Sequence, residues 1–418
     1  MKFKLLTPFI LLGFALACGH KPQSGKINIQ IPWPDGPGYK LQFVPVGFTD
    51  LRDLTGPDVE FFEKPSITGD EVSQQYRLVG ASPVGKFSAI SEGNYVPATY
   101  ESLLLATMYA HIERLNAHLK GLGYGSLISL PRKVGVNPRF RFTEGRNTNN
   151  AVYIPDLDGI FVYPYEKSGL PLAFNGGVLA HEYFHAIFHH IFYKHLKPKK
   201  NTESLFVAPS NHFNIYASAN RPSVCNFTPS FRDSCGKAED FSNEEVSSVV
   251  LGSMNEGLAD TWAWIYTDDT DFLIKSFNEE RNSLRKLDGD FCNLPTQQGV
   301  RDIWAKITRF NDVKCNREKA GEIMGAYRYS YGTNLSRFLI SFTKSGKIQR
   351  QELAVLILET LKKMIATHRN ETKFTLSFDT FINLFLETVR ELKKEITPEQ
   401  CSIYTKIIPE GGAKVCTK

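Results

Sequence analysis

The sequence predicts an α+β fold, on three observations. From Lys26 to about Tyr95 polar and apolar residues alternate in short runs broken by proline and glycine, as in Lys26-Ile27-Asn28-Ile29-Gln30-Ile31, which is the period of half-buried strands. Around His181-Glu182-Tyr183-Phe184-His185 the segment from Gly176 to Phe188 is apolar and free of proline, as a buried helix would be. After Asp268 the chain reads as mostly helical to its end. These runs divide it into a small N-terminal β-rich domain (18–95), a mixed α/β subdomain (96–268) and a mostly helical C-terminal domain (269–418).

The first residues read as a targeting segment. Lys2 and Lys4 precede the apolar run Leu5 to Ala17, which is too short to span a membrane, so residues 1–17 are expected to be a signal peptide. Ala15-Leu16-Ala17-Cys18 resembles a bacterial lipobox, in which Cys18 would be lipidated and become the mature N-terminus. Alanine at the first of these positions departs from that pattern, and ordinary cleavage after a small residue is the other outcome. The expected address is the bacterial cell envelope, with the protein exported and lipid-anchored on a periplasmic or outer-membrane face. Seven cysteines less Cys18 leave six, in sequence-local pairs: Cys225 with Cys235, Cys292 with Cys315, Cys401 with Cys416. Export favours disulfides, and proximity alone suggests this pairing. The chain has no C-x-x-C spacing, which argues against a cysteine metal cluster.

Next in order, Pro97 leads into a helix over Tyr100 to Leu119, where Leu105, Met108, Ile112, Leu115 and Leu119 recur at helical spacing and Gly121-Leu122-Gly123 ends it. Strands are expected at about Lys133 to Phe142 and within Ala151 to Tyr163. In the helix that follows, His181 and His185 lie about one turn apart, so both imidazoles can address one metal ion while Glu182 reaches the same side. A hydrolytic zinc ion takes three protein ligands and keeps one position for water. Asn255-Glu256-Gly257-Leu258-Ala259-Asp260 can supply the third from a second helix, whose start is marked by the capping-box pair Ser242 and Glu245 and whose run Val246 to Trp264 lacks proline. Glu256 and Asp260 share a face. Glu256 can bind the metal, and Asp260 can accept a hydrogen bond from the non-ligating nitrogen of a zinc histidine.

The pentapeptide HEYFH followed by NEGLAD-TW resembles the gluzincin metallopeptidases, particularly the thermolysin and fungalysin families. The resemblance covers the two helices and their approach, including the strands at Asn149 to Tyr153 and Gly159 to Tyr163. It implies a zincin-like catalytic subdomain, Zn2+ on His181, His185 and Glu256, Glu182 as general base, Asp260 behind a zinc histidine, and a peptide or protein substrate. Seventy-one positions separate His185 from Glu256, far more than in thermolysin, so an insertion is expected at about 197–241. Lys197-Pro198-Lys199-Lys200 is expected to stop the first helix. Ile191 stands where a metzincin would need its third histidine. A third i+4 ligand at His189 would lie roughly 5–6 Å along the helix axis, too far for the same tetrahedral ion.

Thermolysin-like enzymes support the oxyanion with a downstream histidine, and no histidine occurs between His212 and His368. Tyr327-Arg328-Tyr329-Ser330-Tyr331-Gly332 stands there instead. Tyr329 with Gly332 is similar to the Tyr-x-x-Gly of gluzincin aminopeptidases, which implies Tyr329 as phenolic donor, with Tyr331 and then Arg328 as alternatives. The composition, 42% hydrophobic and 22% charged over 418 residues, is ordinary for a globular protein. A net charge of +5 with interspersed signs gives no support to nucleic-acid binding. The expected protein is a monomeric zinc-dependent metallopeptidase. The alternative is a zinc-binding envelope lipoprotein of the same fold with little or no turnover, in an adhesive or inhibitor-like role.

Overall fold

The computed structural model describes residues 25–36, 38–70, 75–140, 148–192, 194, 242–277, 285–309, 317–368, 376–392 and 395–408. The expected signal segment, Cys18, the insertion with Cys225 and Cys235, and Cys315 and Cys416 lie outside them. Alternation folds β1 (Ile27–Asp35) and β2 (Gly38–Val46) into an antiparallel hairpin in continuous register from Ile27↔Val46 to Asp35↔Gly38. Ile27, Ile29, Ile31 and Trp33 form its buried face. A second hairpin pairs β3 (Val59–Asp70) with β4 (Gln75–Ala81), and a third pairs β5 (Phe87–Ser91) with β6 (Asn94–Pro97).

Helix α1 (Tyr100–Gly121) follows, capped by Thr99, whose side chain accepts from the Ser102 N–H. The chain then enters β7 (Arg132–Val136), β8 (Ala151–Ile154) and β9 (Gly159–Val162). The strands form two sheets, ordered β2-β1-β6-β5 and β4-β3-β7-β9-β8. In the second sheet β3, β7 and β9 run parallel, while β8 is an antiparallel edge strand. β3 and β4 thus belong with the strands that lead to the histidine helix, across the domain boundary expected near residue 95. Periodicity marks a strand but not its partner. A parallel partner is set by a crossover, here one that contains α1.

Nine α-helices are present among the described residues, and the fold is a mixed α/β one, about 52% helical. After α1 come α2 (Gly176–Ile191), α3 (Asn243–Thr267), α4 (Phe272–Ser276), α5 (Gln297–Arg309), α6 (Arg317–Ser345), α7 (Arg350–His368), α8 (Phe378–Glu391) and α9 (Pro398–Ile407). Helix α2 ends at Ile191, before the basic-proline stop expected at Lys197. The tyrosine run 327–331 lies inside α6. One apolar core runs from Ile27 and Trp33 through α1, α2 and α3 to Ile408, so neither boundary expected near 95 or 268 separates two cores. Val152, Ile154, Phe161 and Tyr163 form a smaller cluster with Leu157, and β8 and β9 are buried throughout.

Among the described residues no helix is long and apolar enough to cross a membrane. Cys401 is disulfide-bonded. Cys292 Sγ lies 3.6 Å from Asn334 Oδ1, and Cys315, the partner expected for it, lies outside the described residues.

Candidate metal centre

Helix α2 brings its histidines to the centre of the molecule because its N-terminus is capped from within. Asn175 Oδ1 accepts from the Gly177 and Val178 N–H groups at 3.0 and 3.3 Å, while its amide donates to the Phe272 carbonyl at 2.6 Å and to Ser276 Oγ at 2.8 Å. Helix α3 begins with the expected capping box. The Glu245 N–H donates to Ser242 Oγ at 3.2 Å, and the Ser242 N–H donates to Glu245 at 2.9 Å.

The two helices bring together the five residues that the spacing singled out. His181 Nε2 and His185 Nε2 lie 3.0 Å apart. The Glu256 carboxylate lies 3.5 Å from His181 Nε2 and 3.9 Å from His185 Nε2. His181, Glu182 and His185 form a buried group whose ligand atoms fall within 4.8 Å of one another. Behind the ring of His181, Nδ1 meets Asp260 Oδ1 at 2.9 Å. Behind His185, Nδ1 meets Asn255 Oδ1 at 2.9 Å.

These partners fix the tautomers. Carboxylate and amide oxygens only accept, so each Nδ1 is the protonated nitrogen, and in the neutral rings both Nε2 lone pairs face each other. Lone pairs at that separation repel unless a cation lies between them. The titration of His181 carries the same information. Burial lowers it, but hydrogen bonds and charge from Asp260 and Glu256 outweigh burial and push it up to about 9. The pocket favours positive charge at this point, whether a proton or a metal ion. The separations also suit a metal, because a tetrahedral ion with bonds of about 2.0–2.1 Å has ligand-to-ligand edges of about 3.3 Å.

Arg285 has no counterpart in the sequence reading. It is 4% exposed and makes a fork on Asp260, Nη2 to Oδ1 at 2.5 Å and Nε to Oδ2 at 3.2 Å, and its Nη2 lies 3.8 Å from Glu256. It lies 25 positions after Asp260, with no pattern joining the two. Its guanidinium carbon stands 5.1 Å from the centre of the Tyr329 ring, which connects Tyr329 to the site.

Tyr331 is turned elsewhere. It is fully buried, with its ring 5.9 Å from Tyr327 and 6.0 Å from Phe378. Two positions along a helix are about 200° around its axis, so Tyr329 and Tyr331 face opposite sides, and Tyr331 leaves the candidate site. Arg328 reaches Ser248 Oγ at 3.4 Å, on the N-terminal half of α3. The metal group does not include His189, whose ring stands 6.1 Å from that of Tyr153.

Gly332 explains the Tyr-x-x-Gly spacing in another way. A Cβ on Gly257 would lie 2.4 Å from the Gly332 carbonyl oxygen, so α3 and α6 cross backbone against backbone one residue after Glu256. Ser336 Oγ also donates to the Gly257 carbonyl at 2.6 Å. Glu182 is held from the sheet, where the Tyr153 N–H on β8 donates to its Oε2 at 2.8 Å.

No protein-family model matches the chain, and no curated protein matches it.

Proposed function

We propose that the protein is an exported zinc metallopeptidase in which His181, His185 and Glu256 hold the metal and Glu182 is the general base. The carrying observation is the facing pair of Nε2 atoms, each with its Nδ1 committed to an oxygen acceptor, beside two carboxylates. Bound there, zinc would supply Lewis acidity at neutral pH. Glu182 takes a proton from the attacking water and delivers it to the leaving amine, and the Tyr153 N–H fixes the orientation of its carboxylate. Asp260 and Asn255 keep both imidazoles in the tautomer that presents Nε2. The phenol of Tyr329 is the proposed oxyanion donor.

A peptide is the substrate best suited to this site because β8 is the edge strand of its sheet and meets Glu182 through its backbone. An extended chain can add to such an edge, which places a scissile bond beside the base. The zincin-like arrangement of sheet and two helices belongs to the same proposal, as do lipidation at Cys18 and the envelope address.

The test compares wild type with Glu182→Gln for zinc content by elemental analysis and for hydrolysis of an unfolded protein. Bound zinc in both proteins with hydrolysis only in wild type is the expected result. Equal hydrolysis in both removes Glu182 from its role. Zinc without hydrolysis in either favours the low-turnover lipoprotein, the reading that the missing downstream histidine supports.

A further inference from the structure

We propose that Asp158 is a positioning residue for Glu182, acting through Tyr153. The proposal rests on the reading of Glu182 as the base and adds to it a device that sets where that base stands. The Glu182 carboxylate is held by a backbone N–H of β8, a strand of only four residues at the edge of its sheet. A short edge strand is paired on one side only, and its backbone can shift along or away from its neighbour. A base that depends on such a strand is placed no better than the strand itself.

The Tyr153 side chain supplies the missing restraint. Its hydroxyl donates to Asp158 Oδ1 at 2.9 Å. The same oxygen accepts from Arg132 Nη1 at 3.0 Å, at the first residue of β7, and from His190 Nε2 at 3.1 Å, on α2. Lys194 Nζ lies 2.7 Å from His190 Nδ1, and an ammonium can only donate, so Nδ1 accepts and Nε2 carries the proton given to Asp158. Arg132 is 1% exposed, so its charge has a strong reason to stay on Asp158. Asp158 itself sits at φ 45, a left-handed conformation that aspartate tolerates, and its N–H closes the turn onto the Pro155 carbonyl at 3.0 Å.

The result is a closed circuit. Tyr153 is tied to α2 twice, by its N–H to Glu182 and by its hydroxyl through Asp158 to His190, about two helical turns further on. The strand cannot slide relative to the helix that carries the base without breaking one of these bonds. None of the three proposed metal ligands takes part in the circuit. It can therefore be loosened without touching the metal site.

The experiment uses full-length zinc-loaded protein and the variants Asp158→Asn and Tyr153→Phe. It reads amide exchange at Tyr153, the zinc dissociation constant by chelator competition, and kcat and KM on an unfolded protein. Expected are exchange at the Tyr153 amide at least roughly 10-fold faster than in wild type, protection retained in β9, and a kcat lower by about 10–100-fold. The zinc constant should stay within about threefold of wild type, because the ligands are unchanged. A purely structural role would instead speed exchange across β8 and β9 together and leave kcat per folded molecule intact, and that result overturns the proposal. So does unchanged Tyr153 exchange in Tyr153→Phe, the gentler variant, which decides the matter where Asp158→Asn fails to fold. If Glu182→Gln keeps wild-type turnover, the reading of the base fails, while site-specific exchange at Tyr153 still reports whether Asp158 holds the strand.

Discussion

Replacing Gly257 by alanine tests whether the crossing of α3 and α6 sets the proposed metal site. The added Cβ would lie 2.4 Å from the Gly332 oxygen, 2.9 Å from its Cα and 3.0 Å from its carbonyl carbon, all backbone atoms that no rotamer change can move. Ordinary contact begins near 3.4 Å, so the helices must part by about 1 Å. Alanine would by itself favour the helix by about 1 kcal/mol, but overpacking of this kind costs about 1–3 kcal/mol or more, and the clash wins. Glu256 is the adjacent residue, and a displacement near 1 Å at a reacting centre can cost about 10²-fold in turnover. Expected are a net loss of roughly 1–2 kcal/mol by denaturant titration, weaker zinc binding by chelator competition, and the fall in turnover. Gly325→Ala is the control, because a Cβ there meets nothing within 4 Å, and it should be neutral or stabilising. If Gly257→Ala matches wild type in both stability and zinc affinity, the crossing does not set the site.

Tyr329→Phe keeps the ring on Arg285 and removes only the phenol, so turnover should fall by roughly 10²–10³ with zinc affinity unchanged; turnover within a few-fold of wild type takes Tyr329 out of the oxyanion role. Asp260→Ala leaves Arg285 as a buried charge without its fork and His181 without its acceptor. Stability should drop by about 3–5 kcal/mol and zinc affinity by about 10–100-fold, both measurable in one zinc-dependent denaturation series. His111 is buried on Trp33 with ring centres 4.3 Å apart, and burial, helped by the charge of Arg114, pushes it down to about 3. A histidine depressed in the folded state contributes fully above its unfolded value near 6.5, and stability is lost as pH falls, at about 1.4 kcal/mol per pH unit down to the folded value. His111→Phe should therefore flatten the pH dependence of stability between pH 6 and 4 by one proton, and an unchanged slope shows that another group titrates there.

The chemistry of the candidate site was more legible in the sequence than its surroundings. His181, Glu182, His185, Glu256 and Asp260 lie within two short helical segments, where spacing translates directly into faces. The capping box at Ser242 was readable for the same local reason. Arg285, Arg132 and Asp158 were not, because each meets its partner across a loop or a sheet and carries no periodic signal. The run 327–331, with tyrosine at three of its five positions, carries only a weak local helix signal. α6 forms there against α3, and tertiary packing overrides propensity. That β3 and β4 join the sheet of β7, β8 and β9 was not legible, because alternation reveals a strand's buried face but not the sheet it joins.

That last point governs how the molecule could be cut or matured. Tyr39 on β2 accepts a hydrogen bond at 3.0 Å from the Gly176 N–H, the first residue of α2, and Trp33 stacks on His111 of α1. β3 lies beside β7, in register from Val59↔Arg132 to Glu63↔Val136. A cleavage between β6 and α1 would therefore release no self-standing leader. It would leave one fragment holding an orphaned pair of strands and another whose histidine helix had lost the hydroxyl at its start. Clean removal of the first hundred residues is thus closed to this architecture.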